Sequence, residues 1–208
     1  MADIAWVTEH PGLDRYLEDT EIVDWQTPEV HQQAVALTRG LDGERAPIRA
    51  LFEYVRDQIA HSFDVTPDDP RAGVVTCRAS QVLRERTGIC YAKCHLLAAL
   101  ARARGIPVAF GYQRLRRDPP GKGFALHGFV AVWLNDAERW APLDPRGDRE
   151  GVSTVCDLDE PSWAWVPDAA AGEQTYDRLF ARPRRAVLDV LGRAPDLERL
   201  RRGLPDSI

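Results

Sequence analysis

Cys90, His127 and Asp144 stand in the chain order thiol, imidazole, carboxylate, the three groups that a thiolate acyl-transfer centre uses. Cys90 falls where a helix should begin. The first N–H groups of a helix have no partner within it. With the helix dipole they favour an anion at that end, by about 0.3–1 kcal/mol at an exposed site. A thiolate is such an anion, so the placement favours a reactive cysteine. The same N–H groups can hold the oxyanion of an acyl-transfer intermediate. Each residue also has an ordinary explanation. A cysteine in an apolar helix is often a small core residue. A strand histidine is usually packed or on the surface, and Asp144 before Pro145 can open a turn. Chain order alone is weak evidence.

The elements that would position these residues follow from the hydrophobic period. Thr27 as cap, Pro28 at the first helical position and Gly40 as stop bound one helix. Ile48, Leu51, Phe52, Val55 and Ile59 recur at three and four residue steps, an amphipathic helix. A Pro-, Asp- and Gly-rich loop, TPDDPRAGVVT, follows. Ser80 is placed to cap a short helix, QVLRER, which Thr87 and Gly88 break. The next helix runs from about Cys90 to Arg104 and stops at Gly105, with Pro107 beyond. Leu96, Leu97, Ala98, Ala99, Leu100, Ala101 and Ala103 make it apolar all round, hence buried.

After Pro107 the pattern shifts to strands: PVAFGYQRLR, ALHGFVAVWL and ERWAPLD. The last two are joined by the short turn NDAE and should lie antiparallel. Their register decides the site. Pairing Leu134 with residue 137 or 139 puts His127 and Asp144 on one face, opposite or diagonal, at about 4.5–5.5 Å between Cβ atoms when directly opposite. Pairing it with 138 puts them on opposite faces and sinks the arrangement unless a bulge intervenes. Helices, a buried central helix and an antiparallel sheet make an α+β chain. The tail carries Trp163 and Trp165, then two short helices within LFARPRRAVLDVLGR and PDLERLRRGL. There is no internal repeat.

The 208 residues suit a single domain over 1–208, with its core at about 45–150, an N-terminal helical part at 1–44 and a C-terminal extension at 151–208. A hydrophobic fraction of 44% and a charged fraction of 28% are ordinary for a soluble globular protein. A net charge of -5 argues against bulk nucleic-acid binding. No apolar run approaches the roughly 20 residues of a membrane span. The first twenty residues hold acids, a Pro and no apolar signal core. The expectation is a cytoplasmic chain whose four cysteines are reduced thiols.

Three separated motifs then agree in order and spacing. ASQVLRERTGICYAKCHLLAALARARGIPVAFGYQRL, LHGFVAVWL and RWAPLDPRG together resemble the transglutaminase-like family. The resemblance implies a papain-like fold with a Cys-His-Asp triad. The family nucleophile follows Gly-x at the head of a helix ending in R-x-x-GIP, which maps to Gly88-Ile89-Cys90 and to Arg102 through Pro107. The family histidine maps to His127, and the aspartate of W-x-x-x-D before Pro maps to Asp144 after Trp140. The match covers about residues 45–150. Cys94 departs from it, standing where Ser or another small residue is expected. One helical turn separates its Cβ from that of Cys90 by about 5–6 Å, whereas a disulfide wants about 3.5–4.5 Å. Cys94 is therefore taken as a packing residue that could also resolve an oxidised Cys90.

Zinc at Cys90, Cys94, His95 and His127 is disfavoured. A C-x3-C-H run within one helix has the wrong spacing, and His95 points about 100° away from the two thiols. No metal or organic cofactor is implied. Cys77 and Cys156 look like buried thiols. Tyr91, Lys93 and Gln113 are candidate cleft residues, though for each of them, as for Arg78, a capping, salt-bridging or surface role is the favoured reading. His61 could line a cleft but fits better as a helix C-terminal cap. The loop Arg116–Phe124, with Pro119, Pro120, Gly121 and Gly123, could be a lid or an ordinary hairpin loop. The C-terminal arginines alternate with acids and read as a solvated face. The expected function is thiol-dependent acyl transfer on a peptide or protein amide, hydrolytic in the first instance. Amine acceptance of the transglutaminase type, or a non-catalytic peptide-binding module, are the alternatives. Neither a nucleic-acid nor a membrane partner is expected, and oligomeric state is not encoded legibly.

Overall fold

A computed structural model describes residues 4–117 and 123–208, so the centre of the Arg116–Phe124 loop, including Pro119, Pro120 and Gly121, lies outside the described residues. In chain order the elements are β1 (Val7–Thr8), α1 (Pro28–Thr38), α2 (Arg45–Gln58), β2 (Ala60–His61), α3 (Ala79–Glu85), β3 (Thr87–Gly88) and α4 (Cys90–Arg102). They continue as β4 (Val108–Arg116), β5 (Phe124–Leu134), β6 (Arg139–Leu143), β7 (Gln174–Thr175), β8 (Arg178–Leu179), α5 (Arg185–Arg193) and α6 (Leu197–Gly203). The order is the α+β arrangement that the sequence pattern implies. None of the helices among the described residues is long and apolar enough to cross a membrane.

Every residue of α4 is buried, including Lys93, His95 and Arg102. Its end is fixed by backbone geometry. Gly105 takes a left-handed φ of 73°. There the Ile106 N–H donates to the Ala101 carbonyl and the Gly105 N–H to the Arg102 carbonyl, the paired bonds of a Schellman stop. α4 then lies against one face of a four-stranded antiparallel sheet ordered β6-β5-β4-β7. Val108, Phe110, Tyr112, Leu126, Val130, Val132 and Leu134 face α4 in the main core, which also takes in α1 and α2. The alternate residues Ala109, Phe129 and Ala131 face the other way, into a smaller core with Tyr16, Trp140 and Trp163. This is the period of two that a sheet covered on both faces requires.

Leu134 pairs with Arg139 across the Asn135–Glu138 turn, and Val130 pairs with Leu143. That is one of the two registers that keep His127 and Asp144 on one face. β6 ends at Leu143 while β5 runs on to Phe124, so β5 has no β6 partner below Val130.

Two expected caps differ. α3 begins at Ala79, and Ser80 sits in its first turn. Its backbone N–H donates to the Asp24 carboxylate at 2.9 Å and its hydroxyl donates to the other carboxylate oxygen, so an aspartate from a distant segment satisfies the helix end. Thr27 precedes α1 without a side-chain cap bond; its carbonyl accepts from the His31 N–H. The fifth helix starts only at Arg185, because Pro183 lacks an N–H and the residues before it are drawn into strand pairing, β8 with β1 and Phe180 with Phe110.

Candidate active site

Cys90 is the first residue of α4, and the chain reaches it through β3, which pairs in parallel with β2. Gly88 leaves room for that approach. A Cβ on it would stand 2.9 Å from the Ala92 Cβ and 3.1 Å from the Thr76 hydroxyl. Cys90 is 8% exposed. Across the gap left by β6, β5 presents His127, and the chain leaving β6 presents Asp144.

His127 Nε2 lies 2.8 Å from Asp144 Oδ2. With Nε2 committed there, Nδ1 is the nitrogen left for the Cys90 thiol, which acts on the same ring by charge and hydrogen bonding. Burial opposes the imidazolium, but the Asp144 carboxylate and then Cys90 outweigh it, pushing the His127 pKa up to about 10. Asp144 is 0% exposed, and each of its oxygens accepts a backbone N–H. Oδ2 also accepts from the Ala164 N–H at 2.9 Å, and Oδ1 accepts from the Arg146 N–H at 3.2 Å. A carboxylate so satisfied can stay buried. Trp165 sets its ring edge-to-face against His127, with centroids 5.1 Å apart at 85°. The Arg146 guanidinium lies 5.4 Å from the Trp165 ring and pairs with Asp64, so one residue ties the Asp144 turn to the segment after β2.

Ala164, Trp165, Arg146 and Asp64 carry no site role in the sequence argument. The aromatic pair Trp163–Trp165 was the visible signal, but a backbone donor 20 residues from its acceptor leaves no mark in sequence.

The candidate cleft residues are all buried. The Tyr91 hydroxyl donates to the Leu126 carbonyl, fastening α4 to β5 one residue before His127. Lys93 Nζ donates to the carbonyls of Arg56 and Ile59 at the end of α2. Burial, and then the Arg146 charge, lower its pKa to about 7. Lys93 thus fills the helix-capping role expected of His61. His61 instead pairs through its backbone with Gly88 and lines a cavity of about 290 Å³ with Asp64, Lys93 and Arg146. Burial and the surrounding cations hold its pKa well below the usual value. Gln113 sits directly across from His127, and its Nε2 donates to the Thr175 hydroxyl. Arg78 is exposed and paired with Glu21.

The other thiols are unlike a nucleophile. Burial raises Cys94 well above the ordinary range and Cys77 and Cys156 to about 11. His95 Nδ1 meets the Cys77 carbonyl at 2.7 Å, away from Cys90. Among the described residues no group of three or more His, Cys, Asp or Glu could hold a metal ion.

The transglutaminase-like superfamily profile matches residues 31–145, more than half of the chain, and this chain belongs to that superfamily. Among solved structures, a proposed cysteine protease from Cytophaga hutchinsonii matches over 69% of this chain and 46% of its own, with TM-score 0.51 and 16% identity. The periplasmic domain of TgpA from Pseudomonas aeruginosa matches over 64% of this chain and 48% of its own, with TM-score 0.43 and 23% identity. The chain therefore spans under half the length of these structures, and the likeness is one of fold. No curated protein matches it.

Proposed function

We propose that this chain is a thiol acyl-transfer enzyme that cleaves an amide bond of a peptide or protein, with Cys90 as nucleophile, His127 as base and acid, and Asp144 as the orienting carboxylate. The observation that carries this is the imidazole shared between a buried carboxylate and a thiol at a helix start. His127 takes the thiol proton, and the sulfur attacks the amide carbon. The oxyanion forms beside the first-turn N–H groups of α4. The bond to nitrogen then breaks as His127 returns the proton to the leaving amine, leaving a thioester on Cys90. Water, deprotonated by the same ring, releases the acid and the free thiol. An amine in place of water would give transamidation through the same thioester, and nothing in the site marks an amine pocket.

An acyloxymethyl ketone or vinyl sulfone peptide probe, each of which alkylates a thiolate, tests the assignment. It should label Cys90, and Cys90→Ala should abolish labelling while the fold persists. Labelling that survives the substitution would place the nucleophile elsewhere. Screening peptide and isopeptide libraries, with and without added amine, then separates hydrolysis from transamidation.

A further inference from the structure

The chain after α5 returns to the site just described. β5 is unpaired by β6 beside His127, and there the Leu126 N–H donates to the Pro205 carbonyl at 2.7 Å. The neighbouring tail carbonyls are held in the same way. Arg117 Nη2 donates to the Leu204 carbonyl, and Arg114 Nε donates to the Asp206 carbonyl at 3.1 Å. The side chains of Asp206 and Ser207 are exposed, while Leu204 and Ile208 rest against the main core. This segment is gripped by its backbone, as an extended peptide is when it adds to a free strand edge.

The same unit reaches the opposite wall. In α6 the Arg201 guanidinium lies 4.4 Å from the Phe63 ring centroid, and Phe63 packs edge-on against His61. His61 is paired with Gly88, two residues before Cys90, and Leu126 is one residue before His127. α6 and residues 204–208 therefore touch both the segment that leads into Cys90 and the strand that carries His127, and Cys90 itself is buried.

We propose that α6 and residues 204–208 form a strap across the Cys90 site, lying on a β5 edge whose ligand is an extended polypeptide held through its backbone. What the strap guards rests on the thiol-enzyme assignment; its position does not. Substrate entry then requires the strap to leave, and the resting state is self-occupied.

The test is alkylation of Cys90 by iodoacetamide in the full chain and in an Arg117→Ala/Arg201→Ala variant. Releasing both anchors should speed Cys90 labelling by about tenfold or more, as local opening permits, while buried Cys94 stays unreactive. A synthetic peptide of residues 203–208, GLPDSI, added in excess should slow the variant again. Labelling at the wild-type rate in a variant whose Leu126 amide has become freely exchanging overturns the proposal. If Cys94 reacts in parallel, the variant has loosened generally, and amide exchange of the unmodified chain decides. Leu126 exchanging in step with α6 supports the strap, and Leu126 exchanging independently of α6 overturns it. Iodoacetamide reads access rather than turnover. A Cys90 that alkylates but transfers no acyl group would sink the enzyme assignment and leave the strap standing.

Discussion

At His127 two opposed effects meet in one ring. Burial works against the charged form, and the Asp144 carboxylate with Cys90 restores it and more. The sign of the linkage follows. Because the folded pKa of about 10 lies above the ordinary 6.5, the ring's contribution to stability is complete below pH 6.5 and is lost as pH rises through about 10. Asp144→Asn keeps the shape and removes the charge. It should move the His127 titration, followed by NMR of the ring, well below about 10 and reduce acyl-probe labelling by about 10³–10⁴-fold. A ring that still titrates near 10 would show that Cys90 alone sustains it. The residue types were legible in sequence, and the period of two showed that an odd strand register was required; which register the turn takes was not legible and comes from the Leu134–Arg139 pairing. Nor were the Ala164 N–H and the Trp165 ring legible, since each reaches the site from a segment without periodicity.

Between elements, contact at Gly128 sets how closely α4 and the sheet approach, and contact at Gly111 does the same on the sheet's other face. A Cβ on Gly128 would stand 2.8 Å from Tyr91 Cδ1, and one on Gly111 would stand 2.2 Å from the Phe129 ring on the other face. Both Ala substitutions should destabilise by about 1–3 kcal/mol, the usual cost of overpacking. Only Gly128→Ala pushes the first turn of α4 from β5, so it alone should lower the Cys90 acyl-probe rate beyond what its melting temperature explains. Equal rates in the two variants would deny that Tyr91 sets the spacing. Lys93 links α4 to the end of α2, and its titration opposes that of His127. Its folded pKa of about 7 lies below the ordinary 10.5, so the cost of the buried charge is present below pH 7 and is relieved as pH rises toward 10.5. From pH 7 to about 8, below the titration of the buried thiols, stability of the native chain should therefore change little, because His127 loses what Lys93 regains. In Lys93→Met only the loss remains, and urea midpoints should fall steadily over the same range. A flat profile in that variant would refute the compensation.

Across the whole molecule, segments outside the central helix and sheet are bound in by scattered long-range ties. β1 pairs with β8, and the Ala79 N–H donates to the Ile22 carbonyl at 2.9 Å. Strands of two residues and a satellite core around Tyr16 carry no period, which is why the sequence pattern resolved α4 and β4–β6 but not these. The most consequential tie is Arg102 near the end of α4. Its guanidinium donates to the carbonyls of Glu18, Val108 and Ala181, joining the N-terminal segment, β4 and the C-terminal segment at one point. Burial lowers its pKa to about 10, so the charge itself is a cost here and the planar fork is the gain. An ammonium cannot span three carbonyls that lie in different directions. Arg102→Lys should leave two of them unpaired, at about 1 kcal/mol or more each, for a loss of at least about 2 kcal/mol in urea unfolding. Arg102→Met should be similar, because what it loses in the last hydrogen bond it regains by removing a buried charge. A lysine variant as stable as the native chain, or a methionine variant far weaker than the lysine one, would mean that charge rather than geometry holds the two ends of the chain to α4.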